Sequence, residues 1–182
     1  MILSDRSLGN RLGLKGRHAA GFLETSGIPV PDRPNTYRSG QGLLVLRLGV
    51  SEFLLEGRHP ALTRIGAVAP GLHPFPREDC SLFMAGTGTG DLLRQTCSLD
   101  FGSWDPESRS LALTVLAGIG VTLLKGAFQG LPCYLLWCDY SHGPYLWKTI
   151  SSLAMETGGY VTVPSGSAGL PDGKGIFPAE ES

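Results

Sequence analysis

The sequence predicts an α+β protein built from two pseudo-symmetric half-domains, each a strand–helix–hairpin unit. Three observations carry that expectation. Apolar runs broken by glycine pair up as hairpins and do not alternate strictly with helices. Short amphipathic stretches at helical spacing occur alongside the strands in similar amount. One pattern also occurs twice, at a spacing of roughly 70 residues, longer than a solenoid unit and suited to a duplicated half-domain. The first copy reads GRHAAGFLETSG, a Pro-rich link, then LLVLRLGVSEFLL; the second reads GTGTGDLLRQTC, SLDFGSW, then LALTVLAGIGVTLL. This alignment sets Phe22-Leu23 against Leu92-Leu93, Gly49 against Gly118, and Leu54-Leu55 against Leu123-Leu124. The expected divisions are 1–58 for the first half-domain, 59–79 for a Pro-rich connector, 80–163 for the second half-domain and 164–182 for a flexible C-terminal tail.

In the first copy, Ala19, Phe22 and Leu23 recur at helical spacing and Gly27 is the expected stop. The segment IPVPDRPNTYRSGQG cannot form a central strand, because its prolines lack the ladder N–H. Residues 42–48 and 51–56 read as two strands joined near Gly49, and 59–79, with PGLHPFP, reads as an irregular connector. The second copy opens with a strand over 80–85. A helix follows from about Gly90, with Thr89 as N-cap and Asp91 favourably placed in the first turn. Strands are expected over 110–116, 119–124 and, after a turn at Gln129-Gly130, 133–138. The last helix begins after Ser141, with Pro144 in its first turn, where a missing N–H costs nothing. Leu146, Ile150, Leu153 and Ala154 form its apolar stripe, Gly158-Gly159 ends it, and 160–163 reads as a final strand.

Composition narrows the function classes. The 182 residues are 42% hydrophobic and only 17% charged, so the chain is neither disordered nor highly solvated. Lys+Arg of 15 against Asp+Glu of 16 leaves a net charge of -1, which gives no electrostatic case for nucleic acid, and no basic run suits a membrane surface. So low a charge fraction leaves apolar surface that another chain often covers. No stretch reaches the ~20 apolar residues of a membrane span, and the first residues lack the features of a secretory signal. The expected location is the cytoplasm, where Cys80, Cys97, Cys133 and Cys138 are read as reduced, packed thiols.

Chemistry-bearing constellations are few. The Gly86–Gly90 run GTGTG precedes a helix and its amides could hold an anion, but it lacks the Lys-Ser/Thr ending of a phosphate loop, so a plain tight turn is favoured. Cys133 and Cys138 stand an odd number of positions apart and face opposite sides of a strand, and no fourth ligand joins them and His142, so no metal site is assigned. Cys138 as a nucleophile beside His142 lacks an orienting acid. His18, His59 and His73 read as surface or linker residues, Glu78-Asp79 as solvated charge, Asp5 and Asp139 as turn or cap residues, and Lys15 as a rim lysine. No catalytic, cofactor-binding or metal residue is assigned. The aromatic cluster Trp137, Tyr140, Tyr145 and Trp147 in WCDYSHGPYLW supplies the partner-interface candidates. Trp147 is offset about 100° from the Leu146/Ile150 stripe. Core packing is the favoured reading of the cluster, and anchoring of another subunit is the alternative.

DRSLGNRLGLKGRHAAGFLETSGIPVPDRPN resembles the opening of the gamma subunits of heterotetrameric sarcosine oxidase: an Asp-x-Ser, a basic-x-Gly-x-Lys-Gly before a helix, and a Pro-rich turn ending in Pro-Asn. LVLRLGVSEFLL resembles that family's next hairpin, and LLRQTCSLDF and LWCDYSHGPYLWKTI its second-half helix and final strand–turn–helix. The likeness covers about Asp5 to Gly159. It implies the folate-binding aminomethyltransferase fold, that of the glycine-cleavage T protein. It also implies a setting, a flavoenzyme with alpha, beta and delta type subunits that demethylates sarcosine or a related N-methyl amine and passes the one-carbon unit to tetrahydrofolate. FAD, FMN, NAD and tetrahydrofolate would belong to those partners and none to this chain, which as an isolated subunit could form a homo-oligomer. The Asp-Asp pair that aminomethyltransferases carry after a Gly-Gly turn is missing, since SGQGLLVLRL runs straight into the strand. His142 stands where the family leads one to expect an aromatic residue, and the long connector is peculiar to this sequence. The implied role is a non-catalytic subunit; a free-standing folate-binding or aminomethyltransferase-like protein is the alternative.

Overall fold

A computed structural model describes residues 1–57, 59–60, 70–105 and 108–162. The expected tail at 164–182 and residues 61–69 of the connector lie outside these residues. The described chain divides into two compact units, one of Met1–Leu8 together with the residues from Glu78 onward, the other of Gly9–Arg77. The first eight residues therefore do not join the half-domain expected to begin at Met1. Strand β1 (Ile2–Asp5) pairs antiparallel with β7 (Asp79–Ala85) and parallel with β11 (Tyr160–Thr162). A four-residue strand carries too little pattern for its sheet to be read from sequence.

The Gly9–Arg77 unit is an antiparallel sheet in the order β3-β4-β5-β2-β6, made of β2 (Arg11–Lys15), β3 (Thr36–Gly40), β4 (Leu43–Gly49), β5 (Glu52–Gly57) and β6 (His73–Pro76). Helix α1 (Ala19–Thr25) lays Ala19 and Leu23 on one face, against Leu14, Leu43, Val45, Phe53 and Leu55. The helix ends as the glycine signal implies. Ile28 N–H donates to Leu23 O and Gly27 N–H to Glu24 O, while Ile28 and Leu23 share the same apolar cluster. The intervening residues of β4 and β5, Leu44, Leu46 and Leu54, are buried too, which explains why these strands read as unbroken apolar runs. The Pro-rich link before β3 is held by Arg47, whose guanidinium donates to Pro31 O and Val50 O and lies over the Phe53 ring. β3 falls inside the proline-bearing segment but sits at the sheet edge, so that segment supplies no central strand.

Strand β6 corrects the expected irregular connector. Gly57 N–H donates to Asn10 O, which fixes the alternation along β2 and directs the amides of Gly13 and Lys15 toward β6. Their partners are Phe75 and His73, so Pro74 and Pro76 occupy the positions whose missing N–H would have faced out of the sheet. Proline forbids a central strand and permits this edge. The Phe75 ring lies over Gly13, and a Cβ there would meet ring atoms at 2.2 Å.

The second unit has the order β11-β1-β7-β10-β9-β8, with β8 (Leu111–Leu116), β9 (Ile119–Phe128) and β10 (Leu131–Asp139). Helices α2 (Thr89–Thr96) and α3 (Gly143–Glu156) cover one face. Leu92, Leu93, Leu146, Ile150 and Ala154 meet Leu82, Met84, Leu123, Tyr134 and Leu136 there. The helix α2 begins at Thr89 with Gly88 as its N-cap and no side-chain cap, so Thr89 is not the capping residue expected. It occupies the place of Ala19 in the other copy and is buried, its hydroxyl without a hydrogen-bond partner.

The duplication is real, but its strand equivalences differ from those the sequence suggested. β8-β9-β10-β7-β1 repeats the order and antiparallel sense of β3-β4-β5-β2-β6. The helical parts match at the expected offset: Ala19 N–H donates to Gly16 O and Thr89 N–H to Gly86 O. The hairpins do not match. β4 corresponds to β9 and β5 to β10, whereas the leucine pattern aligned β4-β5 with β8-β9. Turn geometry agrees with topology, because Gln41-Gly42 (φ 52° and 77°) and Ala117-Gly118 (φ 50° and 83°) are the same kind of two-residue turn. Leucine-rich strands are alike enough that a slip by one whole strand still aligns them.

Candidate interaction surface

The four aromatic candidates separate by depth. Trp137, on the central strand β10, is 1% exposed and belongs to the interior. Trp147 is half-buried against the α2/α3 apolar cluster. Tyr140 and Tyr145 reach the surface, at 67% and 54% exposure. Tyr140 lies in a single 3-10 turn, Tyr140–His142, that Asp139 starts by accepting from Ser141 N–H at 2.9 Å. Tyr145 sits in the first turn of α3, and its hydroxyl donates to Ala117 O in the β8–β9 turn at 3.2 Å. Odd spacing and exposure thus split WCDYSHGPYLW into two core-side indoles and two surface phenols.

The cysteines are placed against chemistry. Cys138 lies opposite Cys80 on β7, and a hydrogen bond between the two thiols, followed by burial, drives the Cys138 thiol far above its ordinary value. Cys133 points to the other face, and burial pushes it up to about 12. A nucleophile needs a thiolate, and these environments hold the neutral form. Gly143 explains part of the tightness here: a Cβ on it would stand 3.1 Å from the Cys80 Cβ. Among the described residues no group of three His, Cys, Asp or Glu side chains could hold a metal ion.

The glycine run at the α2 N-terminus is engaged by its own fold. Gly86 N–H donates to Pro132 O at 3.0 Å, Thr89 N–H to Gly86 O, and a Cβ on Gly86 would stand 3.1 Å from the Met1 Cα. The geometry is that of a packed tight turn. Asp5 accepts from Ser7 N–H at 2.7 Å, a turn role, and Lys15 pairs with Glu52 on an exposed rim. Asp79 differs from its expected solvated state. It opens β7 and is buried, while Glu78 is exposed. His18 accepts from the Arg17 guanidinium, His59 meets Gln41, and His73 is exposed on β6.

Three features were not singled out from sequence. Arg11 and Glu56, opposite one another on β2 and β5, form a buried ion pair at 2.9 Å. Lys125 donates from Nζ to Phe101 O and Trp104 O, fixing a loop in which the Phe101 and Trp104 rings stack and Phe101 meets Tyr134 edge-on. Leu113 and Val115 on β8 stand out of the surface at 57% and 56% exposure. The last was visible in LALTVL, where apolar residues at alternate positions lack any charge between them.

No protein-family model and no curated protein matches the chain. Solved structures do. A chain of the heterotetrameric sarcosine oxidase from Corynebacterium sp. U-96 superposes with a TM-score of 0.67 and 21% identity, over 87% of this chain and 85% of that one. The glycine cleavage system aminomethyltransferase T from Bartonella henselae gives 0.60 and 13%, over 89% of this chain and 47% of that one. The fold is therefore the folate-binding aminomethyltransferase-like fold that the resemblance implied, and this chain spans about half the length of the Bartonella enzyme. No described helix is long and apolar enough to cross a membrane.

Proposed function

We propose that this chain is a non-catalytic, gamma-type subunit of a heterotetrameric oxidase or dehydrogenase of sarcosine or a related N-methyl amine. One observation supports it most. The 87% and 85% coverages mean that the matched sarcosine oxidase chain is about as long as this one, so the likeness is to a small subunit throughout and not to a domain within a larger polypeptide. In this reading FAD, FMN, NAD and tetrahydrofolate are held by alpha, beta and delta type partners in the cytoplasm. Tyr140 and Tyr145 are candidate contacts with those partners.

The fold family implies tetrahydrofolate, and the residues present do not fit its transfer chemistry. That chemistry needs a carboxylate to hold and deprotonate an amine. The β3–β4 hairpin presents Ser39, Gly40, Gln41 and Gly42, and no acid occurs between Asp32 and Glu52.

The test is capture of the tagged full chain from extracts of its native cells, with flavin absorbance and sarcosine oxidation read on the eluate. A yellow complex containing larger subunits and oxidising sarcosine is the expected result. A colourless chain eluting alone, and binding tetrahydrofolate in a titration, would overturn the proposal in favour of a free-standing folate-binding protein.

A further inference from the structure

Every open sheet carries two edges, and natural proteins blunt them with prolines, charges or shortness. Three of the four edges among the described residues follow that rule. β6 presents Pro74 and Pro76, β3 is five residues with Arg38 paired to Asp32, and β11 is three residues. β8 follows none of it: LALTVL is six residues without proline, charge or glycine.

The backbone of β8 is in position to accept another strand. Gly86 N–H donates to Pro132 O, which fixes the alternation of bonded pairs across β7 and β10. Carried through the registers of β10 with β9 and β9 with β8, it directs Ala112, Thr114 and Leu116 toward β9. Leu113 and Val115 then turn their N–H and C=O groups outward. Their side chains share the face opposite α2 and α3, where both are more than half exposed.

We propose that this edge docks a second copy of the chain, β8 against β8, antiparallel, with Thr114 on the two-fold axis. In that register Leu113 of each copy stands opposite Val115 of the other. The outward amides and carbonyls of both pair reciprocally, and four apolar side chains form one stripe across the seam. A two-fold brings like residues together, so a charge near the axis would oppose it. The strand carries none, Thr114 meets Thr114, and Lys125 nearby is turned to the Phe101 and Trp104 carbonyls. The pairing closes at two copies, because the opposite edge of this sheet is the three-residue β11. Covering the stripe withdraws on the order of 400 Å² of side-chain surface, short of the ~1,200 Å² of stable interfaces, so the dimer is weak and depends on concentration. This inference concerns the chain alone and does not rest on the oxidase reading.

The full chain, purified alone, is examined by light scattering across a dilution series, with amide exchange read at both ends. The expected mass rises from one copy to two with concentration. The amides of Leu113 and Val115 gain protection as it rises, while those of Ala112 and Thr114 stay protected throughout. Leu113→Lys, at an exposed position, keeps the wild-type melting temperature and weakens association by at least about 100-fold. A mass of one copy at every concentration, a dimer undiminished by the lysine, or equal exchange at 113 and 115 across the series would each overturn the proposal. If the lysine variant melts early, the odd–even exchange pattern of the wild type decides alone.

Discussion

Replacing Gly16 by alanine should destabilise the Gly9–Arg77 unit far more than the same change at Gly27, although both glycines have positive φ. Gly16 follows β2 and starts the turn into α1, with φ 128° and its N–H donating to Ser51 O at 3.0 Å. A Cβ there would lie 2.1 Å from the Gly71 carbonyl oxygen and 2.8 Å from its carbon. The obstacle is backbone, so no rotamer change relieves it. The conformational strain is ~1–3 kcal/mol. Forcing the Gly71 segment aside adds ~1–3 kcal/mol, as overpacking does in cores. Gly27, at φ 73°, has nothing within 4 Å of a new Cβ, so only the left-handed penalty of ~1–2 kcal/mol remains. For a chain of this length 1 kcal/mol moves Tm by ~2–4 °C, so Gly16→Ala, at about 4 kcal/mol, should lower Tm by about 8–16 °C. Gly27→Ala should lower it by about 2–8 °C on the same scale. Circular dichroism melts and urea titrations of both variants measure the difference. If Gly16→Ala melts no earlier than Gly27→Ala, the Gly71 carbonyl does not close on this turn and the reasoning fails.

The double change Tyr140→Ala and Tyr145→Ala should leave Tm within about 3 °C of wild type, since both rings are exposed and one loses a single surface hydrogen bond. If the chain is the proposed subunit, the change should cut capture of the larger subunits at least about tenfold, as loss of interface aromatics does; capture at wild-type level removes these residues from the proposed interface. Trp147→Ala, by contrast, should lower Tm, because the half-buried indole packs on the α2/α3 cluster. The buried thiols predict a pH effect with a definite sign. Cys133 is raised to about 12 and Cys138 is raised as well, so above the ordinary thiol value of 9.0 the unfolded chain releases thiol protons that the folded chain keeps. Stability should fall as pH rises from about 9 toward 12, and Cys133→Ala with Cys138→Ala should flatten that slope in urea titrations; an unchanged slope would mean that the thiols ionise in the folded protein.

What the sequence made legible follows from how much of each signal is local. The α3 stripe of Leu146, Ile150 and Ala154 and its glycine stop depend on residues within one element, and they stand where the pattern placed them. The β4 and β5 runs were visible as strands because burial on both faces leaves no polar alternation. Register between strands is a different kind of information. LLVLRL and LALTVL are equivalent as text, and only the neighbouring strands show that β4 answers to β9 and not to β8. β1 and β6 were hidden for the same reason, since their partners are far away in sequence and their own residues carry little pattern. The candidate surface was half legible. Composition identified the aromatic cluster, but depth within a sheet is tertiary, so Trp137 and Tyr140, three residues apart, could be separated only once β10 had a place.

A duplicated fold offers each feature twice, and the two copies differ at several equivalent places. Ala19, apolar and packed, answers to Thr89, which buries a hydroxyl without a partner. The edge strand β3, with Arg38 and the clamp of Arg47 behind it, answers to β8, an apolar edge among the described residues. Burying an unsatisfied hydroxyl and exposing an uncharged edge are both unfavourable, the first for stability and the second for remaining alone in solution. Asp139 is tied into a turn, Lys15 pairs with Glu52 on a rim, and Cys133 is buried in neutral form. Among the described residues, a strand edge with two exposed aliphatic side chains is the departure that fits the proposed role as a subunit.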